Sequence, residues 1–119
     1  MRPWIGVDLD GTLAKHNPSI GTYEIGEIVE PMKQRVLEWL AEGICDVKIF
    51  TARAGDVAQK VVIHQWLRNN GLPELEVTNA KDFHMVELYD DRAVQVLFNT
   101  GELLGESTMH HRQLLKKHS

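Results

Sequence analysis

Asp8 and Asp10 stand two residues apart at the end of a short apolar run, Trp4, Ile5, Val7 and Leu9, and are followed by Gly11 and Thr12. Residues two apart in a strand project to the same side, so the spacing predicts two carboxylates on one side of a strand's carboxyl end. That is where open parallel sheets bind ligands. Carboxylates so placed repel each other unless a cation or a proton joins them. Mg²⁺ would resolve the conflict, because it prefers a few hard carboxylate oxygens completed by water and phosphate oxygens. Gly11 permits a sharp exit from the strand, and Thr12 can hydrogen-bond a neighbouring carboxylate or cap the turn.

The elements that must position this pair follow from hydrophobic periodicity and from turn residues. Residues 14–30 are polar and turn-rich, with Pro18, Gly21 and Gly26, and read as a short hairpin or flap. A stretch of this length without regular structure is long for a connection in a compact domain, which favours a place beside a site. A helix is predicted from Pro31 to Gly43, with Met32, Val36, Leu37 and Leu40 on its apolar face. Residues 47–50 predict a second strand, ending at Thr51. A loop over 52–55 leads to Asp56, which can cap a helix running to about Asn70 with Val57, Val61, Trp66 and Leu67 as its apolar positions. Residues 75–79 predict a third strand, 85–89 a fourth and 94–98 a fifth, with a helix towards Lys117. Strands alternating with helices predict an α/β fold with right-handed crossovers that place helices on both faces of a mostly parallel, five-stranded sheet.

Further polar residues fall at the ends of these strands. Thr51 closes the second strand in Ile-Phe-Thr-Ala-Arg, Lys81 precedes the fourth strand, and Asp90-Asp91-Arg92 follows it. Each alone is unremarkable, but adjacent carboxylates such as Asp90 and Asp91 cost repulsion unless a counter-charge is near. The order of the whole set resembles the four signatures of the haloacid dehalogenase (HAD) superfamily of phosphohydrolases. The resemblance runs over roughly residues 4–92.

The resemblance implies a three-layer, doubly wound, HAD-like Rossmannoid fold. It makes Asp8 the nucleophile that forms an aspartyl phosphate, and Asp10 the group that protonates the leaving oxygen and later deprotonates water. Thr51 and the backbone N–H groups from Leu9 onward would bind phosphoryl oxygens, and Lys81 would offset negative charge. Asp8, the Asp10 carbonyl and Asp90 would hold Mg²⁺, with Asp91 acting through water or as a supporting partner. The segments 13–30 and 71–81 are too short for a cap domain, so the chain resembles the capless class. Thr-Ala-Arg and Asp-Asp-Arg are also similar to the phosphatase part of phage-type polynucleotide kinases. That similarity suggests a polynucleotide 3′-phosphate as a candidate substrate, with Arg53 and Arg92 reaching its leaving group. A small sugar or nucleotide phosphate is the alternative, and the sequence does not choose between an open and a covered site.

Two readings of another class compete. A phosphoacceptor receiver domain shares this size and these residue types, but its paired acids follow the first strand and its phosphorylated aspartate comes mid-chain. A catalytically silent phosphate-binding or interaction domain would also carry such residues. Composition narrows the field further. With 119 residues the chain is expected to be a single domain over 1–119. A net charge of −4 argues against an extended nucleic-acid-binding face. Cys45 is the single cysteine, so no internal disulfide can form. The first apolar run is too short and too acidic for a signal peptide or membrane span, and a cytoplasmic protein is expected. Oligomeric state is not encoded in any motif.

Overall fold

The computed structural model of the protein describes residues 2–105, Arg112 and Leu115. Its chain divides into two compact units, residues 1–89 and 90–119. The first unit is built on β1 (Trp4–Val7), whose residues are all buried, as expected of a central strand covered on both faces. β2 (Asp46–Phe50) pairs parallel with β1 from Trp4↔Asp46 to Val7↔Ile49. β3 (Glu76–Thr78) lies parallel beyond β2. β4 (Met85–Tyr89) pairs parallel with the other edge of β1, ending at Val7↔Tyr89. The result is an all-parallel, four-stranded sheet of order β3-β2-β1-β4, an α/β fold with a Rossmann-like layout.

Two helices complete the unit, α1 (Glu30–Glu42) and α2 (Val57–Asn69). Pro31 sits in the first turn of α1, and Gly43 ends the helix at φ 71°, a conformation that costs glycine no Cβ clash. Asp56 caps α2, its Oδ1 accepting from the Ala58 N–H at 2.9 Å. Ile5, Val7, Val47, Ile49 and Val77 share one sheet face and form a single core with Val36 of α1 and Ile63 and Leu67 of α2. Both helices therefore pack on that face. Right-handed crossovers stepping from β1 to β2 to β3 in one direction require this.

The opposite face of β1 carries Trp4 and Gly6. The Trp4 indole lies beneath Lys48 Nζ, 4.5 Å from the ring centroid. A Cβ on Gly6 would meet Leu88 Cδ1 at 3.1 Å and the Trp4 ring at 3.2 Å, so a side chain there would have to displace both. Trp4 Nε1 donates to Asp82 Oδ1 at 2.8 Å, pinning the β3–β4 connection. That bond, with a second from the His84 N–H, holds the Asp82 carboxyl below its ordinary range.

Two expectations are corrected. Residues 94–98 do not form a fifth strand of the sheet. They lie in the second unit, where the Leu97 N–H donates to Glu102 O and the Leu104 N–H to Gln95 O, both at 2.8 Å. Asn99 at φ 63° and Gly101 at φ 76° turn the chain between these partners. The strand-like residues thus satisfy their backbone groups locally. In α2, Val57 and Val61 are exposed (78% and 63%), and the buried stripe is Gln59, Ile63 and Leu67. This stripe recurs every four residues, and the two valines fall on another side of the helix. The helix expected towards Lys117 lies outside the described residues, apart from Arg112 and Leu115, both helical. Among the described residues no helix is long and apolar enough to cross a membrane.

Candidate functional site

The parallel sheet brings the carboxyl ends of its strands to one edge, and Asp8, Asp10 and Thr51 sit there. Asp8 follows β1 directly, and its N–H donates to the Tyr89 carbonyl at 2.9 Å, locking the end of β1 to the end of β4. The chain passes from Tyr89 into Asp90 and Asp91, the first residues of the second unit. Within that unit Asp90 Oδ1 accepts from the Arg92 N–H at 2.8 Å, and Arg92 is exposed. Tyr89 is packed against Trp39, with ring centroids 4.7 Å apart. Its partial desolvation, reinforced by Glu87, raises the phenol above its ordinary range.

After Asp8 the backbone wraps around Leu9, whose carbonyl accepts from the N–H groups of Thr12, Leu13 and Ala14. Gly11, at φ 93°, makes that wrap possible. The Leu9 side chain is fully buried, anchoring the turn. The N–H groups of Leu9 and Asp10 make no hydrogen bond among the described residues, so this turn presents two adjacent donors beside the Asp8 carboxylate. Thr12 Oγ1 donates to Asp8 Oδ2 at 3.3 Å, as its position in the sequence suggested.

Asp10 is held from the 3₁₀ helix Ala52–Gly55 that follows β2. Arg53 Nε donates to Asp10 Oδ2 and Arg53 Nη2 to Asp10 Oδ1, both at 2.8 Å, a two-pronged guanidinium–carboxylate pair. Thr51 closes β2 and is buried at 3% exposure, its N–H donating to Thr78 O at 2.9 Å. Its Oγ1 accepts from the Arg53 N–H at 3.2 Å, capping the one-turn 3₁₀ helix Ala52–Gly55. The hydroxyl proton of Thr51 is still available for a donor bond. Lys81 is exposed on the connection that leaves the carboxyl end of β3.

The segment 14–30 folds back over this edge. Its base is fastened by the Lys15 N–H to Glu27 O at 2.8 Å and the Val29 N–H to Leu13 O at 2.7 Å. Its far limb is tied by side chains the sequence reading did not use for this purpose. Arg53 donates to the carbonyls of Thr22 and Glu24, Gln59 Nε2 to Thr22 O, and Trp66 Nε1 to Gly26 O, at 2.8 to 3.0 Å. The carbonyls of Thr22, Glu24 and Gly26 thus face the 3₁₀ helix and α2, whose Arg53, Gln59 and Trp66 side chains take the place of a partner strand. A further bond from Arg53 Nη1 to Gln59 Oε1 occupies the last of the five guanidinium donors. Arg53 therefore positions Asp10 and the flap and has no donor left for a substrate. A cavity of about 300 Å³ lies between flap and Asp10. Gln59 was legible in principle, since a polar residue in register with Ile63 and Leu67 must find partners when buried.

The fold is similar to the solved structure of a conserved protein coded by a locus of Bacteroides thetaiotaomicron. The TM-score is 0.54 at 20% identity, over 98% of this chain and 93% of that one. At that identity the likeness is one of fold. No family model matches the chain, and no curated protein does.

Proposed function

We propose that the protein is a Mg²⁺-dependent phosphomonoester hydrolase of HAD type that works through an aspartyl phosphate on Asp8. The observation that carries the reading is the convergence of Asp8, Asp10 and Thr51 at the carboxyl ends of adjacent parallel strands, beside two backbone donors that have no hydrogen bond among the described residues. In this reading Asp8 attacks phosphorus, while the N–H groups of Leu9 and Asp10 and the Thr51 hydroxyl receive the phosphoryl oxygens. Asp10 gives a proton to the leaving oxygen and takes one from water in the second step, which requires one of its two bonds to Arg53 to open. Arg53 sets the direction of the Asp10 carboxylate. Lys81 offsets charge from the loop after β3.

The donor set suits a hard cation. The residues that the HAD resemblance names for it offer carboxylate and carbonyl oxygens alone: Asp8 and the Asp10 carbonyl, and from the sequence after β4 Asp90, with Asp91 in support. Bound there, Mg²⁺ would neutralise carboxylates that otherwise repel a phosphate dianion. The HAD-like form of the fold belongs to the same proposal and implies a third layer over the sheet face that carries Trp4 and Gly6. The experiment is phosphate release from a generic monoester in chelator, then after Mg²⁺ is restored. Release is expected to vanish and return. Undiminished release after verified metal removal would overturn the reading.

A further inference from the structure

The hairpin of the second unit leaves one strand edge open. It is closed by the Leu97 N–H to Glu102 O and the Leu104 N–H to Gln95 O, so Gln95 and Leu97 turn their backbone groups inward. The N–H and C=O of successive residues in an extended strand point to alternate sides. Those of Val94 and Val96 therefore face outward, and they make no hydrogen bond among the described residues. Val96 lies opposite Leu103 with its side chain on the same face, and Val94 joins that face two residues earlier. At 43, 55 and 66% exposure, Val94, Val96 and Leu103 leave an apolar face in solvent. A two-stranded ribbon of this kind is marginal in water until further strands extend it.

We propose that this edge is a self-association surface: two copies of the chain join antiparallel along residues 93–97, making one continuous sheet across a two-fold axis. In the register that brings outward groups together, Val94 meets the partner's Val96 and Val96 the partner's Val94. Each such pair exchanges both of its N–H···O bonds. Gln95 then faces the partner's Gln95 at the axis, where each amide can donate and accept. Ala93 faces the partner's Leu97. An isologous contact sets a surface against itself, so any charge at the axis would meet its own sign; here there is none.

Charge also distinguishes this edge from the others. Proteins discourage strand addition by placing charges, prolines or very short strands at their edges. The outer strands of the parallel sheet are protected in this way, since β3 has three residues and carries Glu76, and β4 carries Glu87. Residues 93–98, Ala-Val-Gln-Val-Leu-Phe, hold neither a charge nor a proline. A second copy is the partner that fits, because the segment matches itself residue for residue. A contact of this length is small, so the dimer is weak and forms in proportion to concentration. It is independent of the phosphoryl chemistry.

The test is sedimentation equilibrium of the full chain at low salt over a range of concentrations, beside amide hydrogen exchange at Val94 and Val96. The expected result is a reversible monomer–dimer equilibrium in which protection of both amides rises with concentration. Gln95→Lys and Gln95→Glu each set like charges across the axis, and each should weaken the dimer about fivefold. A one-to-one mixture of the two variants should restore association, because opposite charges then meet. Gln95 is exposed, so neither change burdens the fold. Val96→Pro removes an outward donor and no bond of the hairpin, and should weaken the dimer at least tenfold. A chain that stays monomeric at every concentration would overturn the inference. So would a dimer that both Gln95 variants leave unchanged. Protection of Val94 and Val96 that does not depend on concentration would also overturn it, by placing another segment of the same chain on the edge.

Discussion

Asp8→Asn is expected to lower phosphate release by at least a thousandfold, about 4 kcal/mol of barrier, while the protein keeps its fold. The amide has nearly the same shape but a far weaker nucleophile. The strand end is fastened by the Asp8 N–H to Tyr89 O, a backbone bond that the substitution leaves in place. Thr12 Oγ1 can donate to an amide oxygen as it does to Oδ2. The check is a rate comparison beside a thermal melt. A variant with the natural melting temperature and the natural rate would place the nucleophile elsewhere.

Arg53→Met is expected to have the largest effect on stability. It leaves Asp10 without its counter-charge and strips the Thr22 and Glu24 carbonyls of a donor. Both partners of the ion pair are partly shielded, at 17% and 27% side-chain exposure, so the loss exceeds that of a surface pair. Removing one member of a buried pair costs ~3–5 kcal/mol; partial exposure brings the expectation here to about 2–3 kcal/mol. That corresponds to a fall of about 10 °C in Tm. The flap should also become cleavable by protease, because only the Gln59 and Trp66 bonds would still tie its far limb to α2. Arg53→Lys should not rescue, since an ammonium cannot reproduce the planar fork or reach five acceptors. A Tm within ~2 °C of the natural protein would show that the flap is held by other means.

What could be read from the sequence was what is local. The ends of β1 and β4 were legible because apolar runs break into aspartates there. α1 was legible because Pro31 and Gly43 bracket a periodic face. The alignment of Asp8, Asp10 and Thr51 at one edge followed from parallel topology once the strands were placed. The attachment of the flap was not legible. Arg53 meets Asp10 across 43 positions and Trp66 meets Gly26 across 40, and nothing local distinguishes these side chains from solvated ones. Arg53 was accordingly expected to reach for a substrate, whereas its donors are spent on the protein. Val94 to Phe98 show the same limit from the other side. Their β propensity is real, but the choice of partner belongs to tertiary structure, and residues 102–104 supply it.

The central claim is a covalent phosphoryl group on Asp8, and intact-mass and peptide mass spectrometry test it most directly. Asp10→Asn protein is mixed with Mg²⁺ and acetyl phosphate, because loss of the group that activates water should let the intermediate accumulate. The expected result is a mass increase of one phosphoryl group on the peptide containing Asp8, removed by hydroxylamine as an acyl phosphate should be. No such adduct should appear when Asp8→Asn is added to the same chain. An unmodified Asp8 peptide, under conditions in which the natural protein hydrolyses acetyl phosphate, would contradict the account.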